Sequence, residues 1–119
     1  MAVDDDPLVL RLLTRILTQA GYEILEAGSV RDALKLLDAG RFSVLISDLN
    51  MPGGSGLDLA RELRRKNADL PMILLSGSLE QETRREAERL GRIECMNKPL
   101  DQTLLLRVVR DLTAGEDSR

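Results

Sequence analysis

The sequence predicts a doubly wound α/β domain: five parallel strands with helices packed on both faces. Three observations carry this. Short apolar runs alternate with amphipathic helical stretches, and the connections between them are short. Two of the runs, around Val44–Ile46 and Met72–Leu75, are apolar on consecutive positions, as strands covered on both faces must be. At 119 residues the chain supports one core and is too short for two.

Met1-Ala2-Val3 is the first strand; three residues are few beside a usual length of about 5–6, so the strand is unusually short or trimmed at its start. Asp6-Pro7 signals a helix start, with Asp as cap and Pro at the first helical position. Val9, Leu12, Leu13, Ile16, Leu17 and Ala20 then share one helical face, and Gly21 ends the helix. Tyr22 to Ala27 reads as a second strand, whose charges suggest an exposed face or an edge. Ser29 with Asp32 caps a second helix with Ala33, Leu34 and Leu37 inward, closed by Gly40. Phe42 to Ser47 is the third strand, running into Asp48.

Residues 51–56 form a turn-rich loop. Leu57, Ala60 and Leu63 mark a third helix with Arg61, Arg64, Arg65 and Lys66 on its outer face. Pro71 opens the fourth strand, Met72 to Ser76. Ser78 and Gln81 form a capping box for a fourth helix that has only Leu79, Ala87 and Leu90 as apolar anchors, and Gly91 ends it. So thin a stripe predicts the most loosely docked helix. Ile93 to Asn97 is the fifth strand, broken by Lys98-Pro99. Asp101 caps a last helix with Leu104, Leu105, Val108, Val109 and Leu112 inward, leaving Leu106 off the stripe as a candidate partner or dimer contact. The domain spans residues 1–113, and 114–119 read as a polar tail or the start of a linker.

Composition removes several functions. There is no histidine, which excludes a Ser-His-Asp triad, a His-ligated zinc site and a phosphohistidine carrier. One cysteine allows no intrachain disulfide and fits a reducing, cytoplasmic home. A net charge of −3 and two aromatic residues, Tyr22 and Phe42, argue against direct nucleic-acid binding. No apolar run approaches the roughly 18 residues of a membrane span, and no signal peptide is visible.

The predicted strand ends collect a particular set of groups. Ligands of open α/β sheets bind beyond the carboxyl ends of the strands. There the first strand delivers Asp4 and Asp5, the third Asp48, the fourth Ser76 and the fifth Lys98. Taken singly, Asp4-Asp5-Asp6 is a solvated turn with a helix cap, Asp48 a turn residue, Ser76 a loop hydroxyl and Lys98 a surface lysine. Taken together, they are three converging carboxylates, a hydroxyl and an ammonium. Crowded carboxylates are tolerated around a cation, and Mg²⁺ prefers a few carboxylates plus phosphate oxygens. Phosphoryl transfer needs such positioning and charge neutralisation, and an Asp can be its nucleophile.

These residues match a known pattern. Val3-Asp4-Asp5-Asp6-Pro7, Ser47-Asp48-Leu49-Asn50-Met51-Pro52 with Gly56 after it, Leu75-Ser76-Gly77 and Lys98-Pro99 resemble the receiver domain of bacterial two-component response regulators over nearly the whole chain. The resemblance implies a flavodoxin-like, CheY-like fold and a signalling module rather than an enzyme. It implies Asp48 as phosphoacceptor and Mg²⁺ held by Asp5, Asp48 and the Asn50 backbone carbonyl, with Asp4 acting through water. Ser76 is implied as the switch hydroxyl and Lys98 as the phosphate-pairing lysine, ahead of a cis proline. The resemblance also implies that the side chains of Asn50 and Ser78 sit where the family tunes phosphoryl lifetime. Implied partners are a sensor histidine kinase or phosphotransfer protein as donor, small donors such as acetyl phosphate, and an output domain or effector. The implied output surface, also a homodimer contact, is the fourth helix, fifth strand and fifth helix. One departure stands out: Cys95 takes the place of the usual switch aromatic. Two alternatives remain, a receiver-like interaction module that is not phosphorylated and a small Mg²⁺-dependent phosphohydrolase, although no cap segment is present to build a substrate pocket.

Overall fold

In the computed structural model, residues 1–51, 54–66, 69–78 and 80–117 are described, the last three by backbone alone. Ala2–Val3 forms β1, and Asp6 caps α1 (Pro7–Gln19) by accepting from the Leu8 amide at 2.9 Å. Then follow β2 (Glu26–Ala27), α2 (Val30–Ala39), β3 (Leu45–Asp48), a small antiparallel ribbon of β4 (Asn50–Met51) and β5 (Gly54–Ser55), and α3 (Gly56–Arg65). The chain continues through β6 (Met72–Ser76), α4 (Gln81–Leu90), β7 (Ile93–Asn97) and α5 (Gln102–Asp117). The main sheet has the order β2-β1-β3-β6-β7 with every pairing parallel, so the expected five-stranded doubly wound fold is present.

Strand periodicity divides the core in two. Leu45, Met72 and Leu74 face Ala33 of α2 and Leu59, Ala60 and Leu63 of α3. Ile46, Ile73 and Leu75 face Leu13, Ile16 and Leu17 of α1 and Leu105 and Val109 of α5. Each fully buried aliphatic side chain contributes about 1.5–3 kcal/mol. With both faces covered, β3 and β6 are buried along their whole length.

β2 is an edge strand, as its charges suggested, but it pairs over two residues rather than six. Its partner β1 has only two residues to offer. The α1 face is rotated from the one expected: Leu10 is buried, while Leu12 and Ala20 are exposed. Five of the six residues 8–13 are apolar, so their spacing alone does not select a face. On α5, Leu104 is exposed, whereas Leu106 is partly buried against the α1/α5 core. The stretch expected to be a tail continues α5 as helix through Asp117.

α4 is indeed thinly anchored, with Ala87 its buried residue and Leu90 partly buried; Leu79 lies outside the described residues. The expected Ser78–Gln81 capping box does not form. Glu80 is the cap residue and makes no side-chain cap bond, while the Ser78 backbone is engaged with the Ser76 hydroxyl. Polar links to α3 help hold this helix. Arg61 pairs with Glu86, and Arg64 turns inward from the expected outer face to donate to the carbonyls of Leu90, Gly91 and Leu70. Gly91 leaves the helix at φ +82, a region glycine enters without steric cost.

Candidate phosphoacceptor site

Register assembles the pocket. Val3 of β1 pairs with Ser47 of β3, so the next residues, Asp4 and Asp48, emerge side by side at the carboxyl edge of the sheet. On the other side of β3, Asp48 pairs with Leu75 of β6, and Ser76 pairs with Asn97 of β7. Lys98 follows directly, its amide donating to the Ser76 carbonyl at 2.8 Å and its bond to Pro99 cis.

The side chains converge. Carboxylate oxygens of Asp4, Asp5 and Asp48 all lie within 4.8 Å of one another. The Lys98 ammonium stands 3.2 Å from Asp48 Oδ1 and 3.6 Å from Asp4 Oδ2. Asp4 and Asp48 are buried, Asp48 at 8% exposure, and Asp5 is open to solvent. The Asp6 amide donates to Asp4 Oδ1 at 2.9 Å, but Asp4 Oδ2 is buried without a hydrogen-bond donor.

The electrostatics follow from this crowding. Burial pushes the Asp4 carboxyl above its ordinary value; the Asp6 amide opposes the rise and the charge of Asp48 adds to it. For Lys98, burial alone lowers the pKa. Its hydrogen bond and charge pairing with Asp48, and then the charge of Asp4, outweigh that, and the net direction is up. Three carboxylates thus face one ammonium. A buried, undonated carboxylate oxygen beside two other acidic groups suits a hard divalent cation, which takes oxygen ligands.

Two further sequence-predicted residues are carried by β6 and β4. The Ser76 hydroxyl is occupied within its own loop, donating to the Ser78 carbonyl at 3.0 Å and accepting from its amide at 3.1 Å. Asn50 lies on β4 opposite Ser55, its side chain exposed. Cys95 is half-buried on β7, where burial pushes its thiol up.

Sequence reasoning missed the supports under Asp48. Ser47 Oγ donates to the Asp48 carbonyl at 2.9 Å. Ser55 and Asp58 form a reciprocal capping box on α3, legible as a Ser-x-x-Asp spacing. Gly56, at the start of α3, passes so close that a Cβ there would meet the Asp48 carbonyl oxygen at 2.6 Å, Leu74 Cδ2 at 2.8 Å and Ser47 Oγ at 3.0 Å. Gly56→Ala is therefore expected to cost about 2–3 kcal/mol in a denaturant melt. A variant as stable as the parent contradicts this packing.

The strand order and the lysine-capped acidic pocket define a CheY-like α/β domain, and solved structures agree. The Vibrio cholerae chemotaxis protein CheY4 superposes with a TM-score of 0.87 at 29% identity, covering 93% of this chain and 94% of that one. A response regulator receiver protein from Pseudomonas putida gives 0.87 at 30%, covering 92% and 93%. The chain belongs to the response regulator receiver domain family, whose model matches residues 1–110. It is thus a receiver domain of the two-component type. It is 32% identical over 113 residues to the transcriptional regulatory protein GlrR of Escherichia coli K12, covering 93% of this chain and 25% of that protein. It is 35% identical over 108 residues to nodulation protein W of Bradyrhizobium diazoefficiens, covering 90% and 48%. The chain therefore spans a quarter to a half of these relatives' lengths. Among the described residues, no helix is long and apolar enough to cross a membrane.

Proposed function

We propose that this domain is a phosphorylation-dependent switch in which Asp48 accepts a phosphoryl group from a phosphohistidine donor. The observation that carries the reading is the Lys98 ammonium, 3.2 Å from Asp48 and 3.6 Å from Asp4 at the edge of a three-carboxylate cluster. An Asp48 carboxylate oxygen attacks phosphorus, the P–N bond breaks, and the imidazole leaves with the electron pair and takes up a proton. The product is an acyl phosphate. Water attack at phosphorus later restores the carboxylate and releases inorganic phosphate.

Asp5, Asp48, the Asn50 carbonyl and, through water, Asp4 would hold Mg²⁺. When bound, the ion neutralises charge on the phosphoryl oxygens. Lys98 exchanges its carboxylate partner for a phosphoryl oxygen. Phosphorylation adds about −1.5 to −2 charge at one point. For Ser76 to meet that charge, its hydroxyl must leave Ser78, and the loop leading into α4 moves with it. α4 is the helix with the least apolar anchoring, which makes α4, β7 and α5 the output surface. An effector or output domain, or a second copy of the domain, would read that surface. The working compartment on this reading is the cytoplasm, where a sensor kinase presents its phosphohistidine.

The test is incubation with acetyl phosphate and Mg²⁺ followed by intact-mass measurement. One phosphate adduct is expected, absent when the metal is chelated; no adduct under either condition overturns the reading. The protein donor has a docking ridge available. Leu8 is 69% exposed and Leu12 45% exposed, one turn apart on α1, whose cap Asp6 also bonds Asp4. Leu12→Asp is expected to slow transfer from a phosphohistidine protein about tenfold, equivalent to about 1.4 kcal/mol. Labelling by acetyl phosphate should stay at the parent rate; equal slowing of both donors contradicts a docking role.

A further inference from the structure

The contacts of α4 are unevenly spread along it. Ala87, its buried residue, and Leu90, partly buried, both lie in the last turn. None of residues 81–86 is buried, and the cap residue Glu80 makes no side-chain cap bond. α3 grips the two halves differently. At the C-terminal end, Arg64 Nη2 donates to the Gly91 carbonyl at 2.8 Å and Nε to the Leu90 carbonyl at 3.2 Å. The same guanidinium donates to the Leu70 carbonyl, ahead of β6, at 3.0 Å. One turn earlier on α3, Arg61 pairs with Glu86, which among the described residues is the one residue of α4 in an ion pair. We propose that Arg64 is the pivot of α4 and Arg61 its catch: the Arg61–Glu86 pair holds residues 81–86 in the resting position, and switching swings that half of the helix about its C-terminal end and opens the pair. This rests on the reading of Asp48 as phosphoacceptor and of α4 as the helix that moves.

The two arginines differ in the way these roles require. Arg64 is half-buried and spends its planar fork on three backbone carbonyls, two of them at a helix end whose carbonyls have no partner within the helix. Such bonds fix a position. The Arg61–Glu86 pair is half-exposed, with 50% and 30% of the two side chains accessible. An ion pair in that setting is weak and screened by salt, so it biases an equilibrium without locking it.

Arg61 is also aimed. Its Nη1 donates to Asp58 Oδ1 at 2.9 Å, and Asp58 closes the capping box with Ser55 at the start of α3. The guanidinium is thus braced from the end of α3 that lies under the Asp48 carbonyl, and it reaches across to α4 from there. On the other side α4 packs against β7, where Cys95 offers only a small side chain. The N-terminal half of α4 therefore has no buried apolar anchor, and the ion pair carries its hold.

The test uses Arg61→Gln, Glu86→Gln and the double variant in the whole chain. Amide exchange at Arg84, Arg85 and Glu86 is read first, with neither phosphate donor nor metal. Each single variant should exchange there about two- to five-fold faster than the parent, the range expected of a half-exposed ion pair. The double variant should exchange no faster than either single one, because the two side chains act as one pair. Exchange at Leu90 and Gly91 should keep the parent rate. Beryllium fluoride with Mg²⁺, a mimic of a phosphoryl group on a carboxylate, then reads the coupling. The variants should bind it about two- to five-fold more tightly, since the state it selects no longer has to break the pair. A static brace would change exchange and leave this affinity at the parent value, and that result overturns the proposal. Additive single effects overturn it too, as does faster exchange that extends to Leu90 and Gly91. The proposed function fails separately: a parent that binds no beryllium fluoride counts against Asp48 as phosphoacceptor, and additivity at residues 84–86 then decides the catch on its own.

Discussion

Asp48→Asn protein is expected to carry no phosphate after incubation with acetyl phosphate and Mg²⁺, while the parent should gain one adduct. The substitution keeps the shape of the side chain and an oxygen for Lys98 to contact. It removes the anionic nucleophile, and a neutral amide oxygen does not form the acyl phosphate. Folding should survive, because Lys98 keeps Asp4 at 3.6 Å and the Ser47 hydroxyl bonds the residue 48 backbone carbonyl, which the substitution retains. A phosphate adduct of undiminished yield on this variant would move the chemistry to another residue and remove the role assigned to Asp48.

The second large effect separates Asp4 from Asp5. Asp4 is buried in a crowd of negative charge with one carboxylate oxygen undonated, so its ionised form strains the metal-free fold. Asp4→Asn is expected to stabilise the metal-free protein by about 1–2 kcal/mol. The sign with pH follows from the raised pKa. The folded state holds the Asp4 proton more firmly than the unfolded chain, so the penalty is full at neutral pH. It fades as the pH falls through the folded pKa toward the ordinary value of 3.8. The gain from Asp4→Asn should shrink over the same window. Asp5 is exposed, and Asp5→Asn should leave the metal-free melting temperature within a degree or so of the parent. Mg²⁺ at a hundred times its Kd should stabilise the parent by about 2.7 kcal/mol. Both variants should lose most of that gain. Thermal melts with and without Mg²⁺, from pH 4 to 8, measure all of this. A destabilised metal-free Asp4→Asn protein contradicts the electrostatic account of the pocket.

Much of this arrangement was legible because it rests on local chemistry. Met72–Ser76 and Ile93–Asn97 are strands over the residues their apolar runs mark, and Asp6-Pro7 starts α1 where a cap followed by proline should. Asp4, Asp5, Asp48 and Lys98 were expected together because parallel strands deliver their ends to one edge, and the register brings them there. What was not legible depends on partners. The length of β2 is set by how little of β1 faces it. The face that α1 buries is ambiguous in a stretch with apolar residues all round, so Leu10 and Leu12 exchanged places. Ser78 has a capping spacing, yet Glu80 is the cap residue. Arg64 reads as a surface cation until the carbonyls at the end of α4 come within its reach. The bonds that the Ser76 hydroxyl makes with the Ser78 backbone were not legible either.

The central claim is that the carboxylate beside Lys98 becomes an acyl phosphate. Borohydride reduces an acyl phosphate to an alcohol, which converts the phosphorylated aspartate to homoserine. Peptide mapping of protein treated with acetyl phosphate, Mg²⁺ and then borohydride should find homoserine at position 48, and none when Mg²⁺ is chelated. Homoserine at position 4 or 5 instead, or none at any aspartate while the protein remains folded, would contradict the account.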